Sequence, residues 1–78
     1  MQPAAESLKR VKINSLSYTN AVDWQSHIEQ VLLDGGSPVV QNFNRDRDLN
    51  ATIELALRHR VTVILNPFQS ECQFHRYH

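Results

Sequence analysis

The chain reads as a small α/β domain, a βαβαβ unit with a mostly parallel three-stranded sheet and two amphipathic helices. Three observations carry this reading. Short β-branched runs with strand character alternate with longer runs whose apolar residues recur at 3.6-residue spacing. The connections between runs are about two to six residues long, the usual length in α/β units. At 78 residues the chain holds one domain, with residues 1–8 a flexible N-terminal segment, 9–68 the βαβαβ unit, and 69–78 a tail or an edge strand.

The first element is a short strand within Lys9 to Ser17, "KRVKINSLS", where Val11 and Ile13 alternate with polar residues before a break at Ser15 and a further apolar Leu16. "YTN" follows, and Thr19 and Asn20 both suit a helix start, with Asp23 in the first turn favoured by the positive end of the helix dipole. Trp24, Ile28, Val31 and Leu32 then stand at i, i+4, i+7 and i+8, one face of a helix. Asp34-Gly35-Gly36 ends that helix, Pro38 bars its continuation, and both glycines of the chain lie at this stop. Trp24 reads as a core anchor, with a ligand platform the lesser alternative.

Pro38 to Phe43, "PVVQNF", is apolar on consecutive positions, as in a strand buried on both faces. Leu49, Ile53, Ala56 and Leu57 repeat the amphipathic spacing and predict a second helix running to about Arg58, whose basic last turn suits the helix C-terminus. "VTVIL", Val61 to Leu65, is the clearest strand. Right-handed crossovers predict a twisted sheet with the first strand between the other two. Gln73 to Tyr77 either adds an edge strand or frays.

Composition narrows the function classes. With 41% hydrophobic and 21% charged residues the chain has the make-up of a globular domain. Eight Lys and Arg balance eight Asp and Glu, so the basic excess that drives nonspecific phosphate binding is missing, and any nucleic-acid contact must come from a local patch. The single cysteine, Cys72, excludes an intrachain disulfide and suits a reducing compartment. No apolar stretch approaches the roughly 20 residues of a membrane span, nor does the N-terminus resemble a signal peptide, which leads to the expectation of a soluble intracellular protein.

In an open parallel sheet, ligands bind beyond the carboxyl ends of the strands. That rule selects Ser17 to Asn20, Asn42 to Asp48, and Asn66 to Gln69, all rich in amide, hydroxyl and aromatic side chains, although turn chemistry alone also favours such residues. Within "NRDRD", Asp48 is the expected N-cap of the second helix and Asp46 a weaker one. Arg45 and Arg47 then remain for phosphate or carboxylate, or for local ion pairs with those aspartates. "CQFHRYH" has a C-x2-H-x2-H spacing with no partner cluster upstream, so no metal is expected. No cofactor motif is present, since Gly35-Gly36 follows a helix where phosphate-binding glycines follow a strand. Nothing in the spacing assembles a nucleophile, base and oxyanion hole, so the chain is not expected to be an enzyme.

The segment "WQSHIEQVLLDGGSPVVQNFNRDRDLNATIELALRHRVTVILN", above all "LNATIELALRHRVTVIL", resembles the anticodon-binding domain of class IIa aminoacyl-tRNA synthetases. It is also similar to the non-synthetase branch of that superfamily found in a nuclear receptor coactivator. The resemblance spans about Val11 to Leu65. It implies a noncatalytic RNA-contacting module of an RNA-associated or transcription-coregulator protein, with a nuclear location and with Asn42, Asn44, Arg45 and Arg47 at the RNA-contacting positions. The synthetase domain is usually longer and accompanies a catalytic core, so tRNA charging is not expected of these residues on their own. The alternative is a protein-interaction or self-association module, motivated by zero net charge and by a third strand with an open apolar edge.

Overall fold

The computed structural model describes residues 9–75; the expected flexible segment 1–8 and the tail end 76–78 lie outside the described residues. Its elements are β1 (Arg10–Asn14), a 3-10 turn (Ser15–Ser17), α1 (Ala21–Leu33), β2 (Ser37–Gln41), α2 (Arg45–His59), β3 (Thr62–Asn66) and β4 (Glu71–His75). The α/β class and the five expected elements are present. The sheet differs from expectation: it has four strands in the order β1-β2-β4-β3, and only the β1–β2 pairing is parallel, β4 running antiparallel to both β2 and β3. β1 is an edge strand, where a central position was expected, and the C-terminal strand lies inside the sheet.

The cause is local. In "ECQFH" Cys72 and Phe74 are buried while their neighbours are half-buried, the alternation of a strand with one face on a core. A four-residue turn joins it to β3, so the hairpin forms without a long crossover, and its inward side chains fill the space beside β2. Ser37 Oγ donates to the Phe74 carbonyl at 2.5 Å and ties β2 to β4 away from the turn. β1 ends at Asn14, whose side chain accepts from the Leu16 N–H and caps the 3-10 turn, leaving Leu16 exposed.

α1 follows the expected plan. Asn20 caps it by accepting from the Asp23 N–H at 2.9 Å, and Trp24, Ile28, Val31 and Leu32 are buried. Its end is a Schellman motif: the Gly36 N–H donates to the Val31 carbonyl and the Gly35 N–H to the Leu32 carbonyl, with Gly35 left-handed at φ 86°. A Cβ on Gly36 would stand 2.9 Å from Val31 Cγ1, so this position needs glycine for close approach.

α2 departs from expectation at its start and along its face, while its end at His59 matches the expected stop near Arg58. It begins at Arg45 with Asn44 as N-cap, accepting from the Arg47 N–H at 3.1 Å, so Asp48, the expected cap, lies one turn inside the helix. The side chains turned to the core are Asp48, Ala51, Thr52 and Leu55. Of the expected stripe, Ile53 and Leu57 are exposed and Leu49 and Ala56 half-buried. The small Ala51 and Thr52 allow the helix backbone to approach the sheet. Two polar groups tolerate burial because they are satisfied: Thr52 Oγ1 donates to the Asp48 carbonyl, and the Asp48 carboxylate is paired with Arg47. On the other side α2 meets α1, where Glu29 accepts from Arg58 at 2.8 Å and pairs with His59.

Candidate functional site

β1, β2 and β3 all run in one direction, so their carboxyl ends, and the three loops selected from the sequence, converge at one end of the sheet. The loops are tied together there. Asn42 Nδ2 donates to Asn14 Oδ1 at 3.0 Å, joining the first two, and the Phe43 N–H donates to the Ser70 carbonyl at 2.7 Å, joining the second and third. Asn42 and Ser70 are both left-handed, at φ 55° and 51°. Asparagine accepts that conformation readily, but a serine held there is the kind of backbone strain that collects at binding sites.

Arg47 is the keystone of this end. Its Nε and Nη2 donate to the two oxygens of Asp48 at 2.7 and 2.9 Å, Nη1 donates to the Tyr18 carbonyl at 2.6 Å, and Nη2 also reaches the Ser15 carbonyl at 3.1 Å. The fork therefore clamps the loop after β1 onto the first turn of α2, and the adjacent carboxylate holds the guanidinium pKa above its ordinary value. Asn44 is occupied as the cap and Asn42 by Asn14. Of the four expected contact residues, Arg45 alone has a side chain with no hydrogen bond or ion pair among the described residues. It lines a cavity of about 150 Å3 with Phe43, Leu65, Asn66, Pro67 and Glu71. Ligand pockets usually measure roughly 300–1,000 Å3, so this one has room for a single side chain or the edge of a base. Glu71 in its wall opposes an anionic occupant.

Cys72 offers no nucleophile. It is fully buried, and burial, reinforced by the Asp48 carboxylate, pushes its thiol up from 9.0 to about 12. An acid whose pKa is raised by folding contributes stability that is fully present below its unfolded value and is lost as pH rises through the folded one. This group therefore destabilises the fold progressively from about pH 9 toward 12. At neutral pH the native thiol should resist an aromatic disulfide reagent and react stoichiometrically once urea unfolds the chain; rapid labelling of the native protein would contradict its burial. Among the described residues no group of three or more His, Cys, Asp or Glu is placed to hold a metal ion. No described helix is long and apolar enough to cross a membrane.

A second surface was not foreseen in its full extent. The two sheet edges differ in chemistry. β1, "RVKIN", carries Arg10 and Lys12, the charges with which exposed edges resist pairing, whereas β3, "TVILN", carries none. Ile64 and Leu65 on β3 are 48% and 44% exposed, and Phe68 in the following turn is 97% exposed. Glu54 and Arg58 of α2 bond toward α1. At 100° per residue, Leu49, Ile53 and Ala56 then lie on the opposite flank, toward the β3 edge, with Leu57 above them. The amphipathic stripe expected to bury α2 thus faces outward beside an uncharged strand. Apolar Ala51 and Leu55, off that stripe in the same helix, were the available sign in the sequence that two apolar faces compete for one core. No family model, curated protein or solved structure matches the chain.

Proposed function

We propose that the domain is a noncatalytic protein-interaction module that takes up an extended segment along β3. The observation that carries this reading is the uncharged outer strand, with Leu65 exposed on the helix-covered face toward the outward Ile53 and Leu57 of α2, and Ile64 exposed on the opposite face. Such an edge offers backbone N–H and C=O groups for strand addition, and the adjacent apolar flank supplies burial. A balanced charge suits this better than phosphate binding.

An RNA-contacting module of a nuclear, RNA-associated or coregulator protein is the second reading. It draws on Arg45, exposed at the first position of α2 next to Phe43 and Asn66 where the three loops meet. The bonds of Asn42, Asn44 and Arg47 within the fold leave Arg45 as its main contact.

Amide shift mapping separates the two. Dilute labelled domain is titrated with excess of a lysine-flanked peptide of alternating valine and threonine, and separately with single-stranded RNA at low salt. The interaction reading expects the peptide to shift amides from Thr62 to Asn66 and RNA to leave them unmoved. Shifts confined to the loops around Arg45, elicited by RNA alone, would replace it with the second reading.

A further inference from the structure

The occupant of the β3 edge is a second copy of this chain: we infer a two-fold homodimer in which β3 pairs antiparallel with its own copy. The inference rests on the interaction reading above and commits it to one partner.

The strand is self-complementary about its central residue. A two-fold axis normal to the sheet at Ile64 sets Ile64 against Ile64, Val63 against Leu65 and Thr62 against Asn66 of the second copy. Every pair is apolar with apolar or uncharged polar with uncharged polar, and no like charges meet. The pairing joins two four-stranded sheets into one of eight, with all four helices on the same face. It leaves as outer edges the two β1 strands, which carry Arg10 and Lys12 and so stop further growth. Head-to-tail pairing of β3 with β1 would instead propagate without closure and set those charges against Ile64 and its neighbours.

The same axis brings the two α2 helices antiparallel, so the flanks carrying Leu49, Ile53 and Ala56 face one another. Their exposed apolar surface, otherwise the unexplained feature of α2, acquires a partner of its own kind. Charge complements this arrangement. Asp46 in the first turn and Arg60 at the end of α2 make no ion pair among the described residues, and antiparallel helices place the acidic start of one near the basic end of the other.

Sedimentation equilibrium of the full chain from micromolar to millimolar concentration tests the inference. The expected mass rises from 9.0 kDa toward twice that value. Ile64→Lys sets two ammonium groups against each other on the axis and should weaken association by about a hundredfold or more, with an unchanged circular dichroism spectrum because the side chain is half exposed in the monomer. Ile53→Glu, on the helix flank, should weaken it independently. Mixed labelled and unlabelled chains should show intermolecular contacts between Val63 and Leu65. A monomer throughout the range, or a dimer that survives Ile64→Lys, overturns the inference. If the chain is monomeric and the valine–threonine peptide still adds along β3, the interaction reading stands and the second copy alone falls; if neither engages β3, both fall.

Discussion

Arg47→Ala is expected to lower the unfolding free energy by about 3–5 kcal/mol, the usual cost of leaving one member of a buried ion pair without its partner. Asp48 is fully buried, and both of its carboxylate oxygens accept from the Arg47 guanidinium. Removing the fork leaves a desolvated negative charge in the core and releases the Ser15 and Tyr18 carbonyls that it holds. Against a typical domain stability of about 5–15 kcal/mol, that loss leaves a barely folded protein. Urea denaturation followed by Trp24 fluorescence measures it. Arg45→Ala, on the same helical turn but exposed and unpaired, should change stability by less than about 0.5 kcal/mol. The double variant Arg47→Met with Asp48→Leu should recover most of the loss, since replacing both charges with apolar groups removes the desolvation penalty. If Arg47→Ala were as stable as the parent, the fork would not hold this end of the domain together.

Phe74→Ala is expected to cost about 3–5 kcal/mol as well, through lost burial and the cavity left behind. Phe74 is fully buried in a strand that stands between β2 and β3, paired on both sides. A frayed tail, or a strand hanging on the sheet edge, would tolerate the change within about 0.5 kcal/mol. Phe74→Leu keeps most of the apolar volume and should cost less than about 1.5 kcal/mol. The contrast between the two variants, read from the same denaturation curves, decides whether β4 is an integral strand.

These two residues also mark the limit of local reading. α1 was legible from its apolar spacing, its asparagine cap and its double-glycine stop, because each of those signals acts within a few residues of the chain. Arg47 and Asp48 were legible as a local ion pair beside a helix start, which the structure contains, but not as a pair that enters the core. The role of the pair depends on Ser15 and Tyr18, about thirty residues earlier, and no local pattern reports such a distance. The cap was misassigned to Asp48 for a related reason. Asn44 and Asp48 are both competent caps, and the difference is that one carboxylate has an arginine and a core to enter.

The two apolar stripes of α2 show the same division. Leu49, Ile53, Ala56 and Leu57 make the stronger periodic pattern, yet the buried positions are Asp48, Ala51, Thr52 and Leu55. Periodicity says that a helix has an apolar face, but not which surface that face meets, inside the fold or outside it. Packing supplied the answer through the close approach that small Ala51 and Thr52 allow.

The sequence by itself determined the α/β class, the order and approximate bounds of the elements through β3, and the convergence of three polar loops at one end of the sheet. These follow from periodicity, capping and chain direction, all of which are properties of short segments. Only the tertiary structure decided the strand order, the internal place of β4, the confinement of Arg47 within the fold, and the outward turn of the Ile53 and Leu57 stripe. Each depends on which distant segments compete for the same buried space, and the free energy of burial belongs to the assembled contacts and to no one stretch of chain.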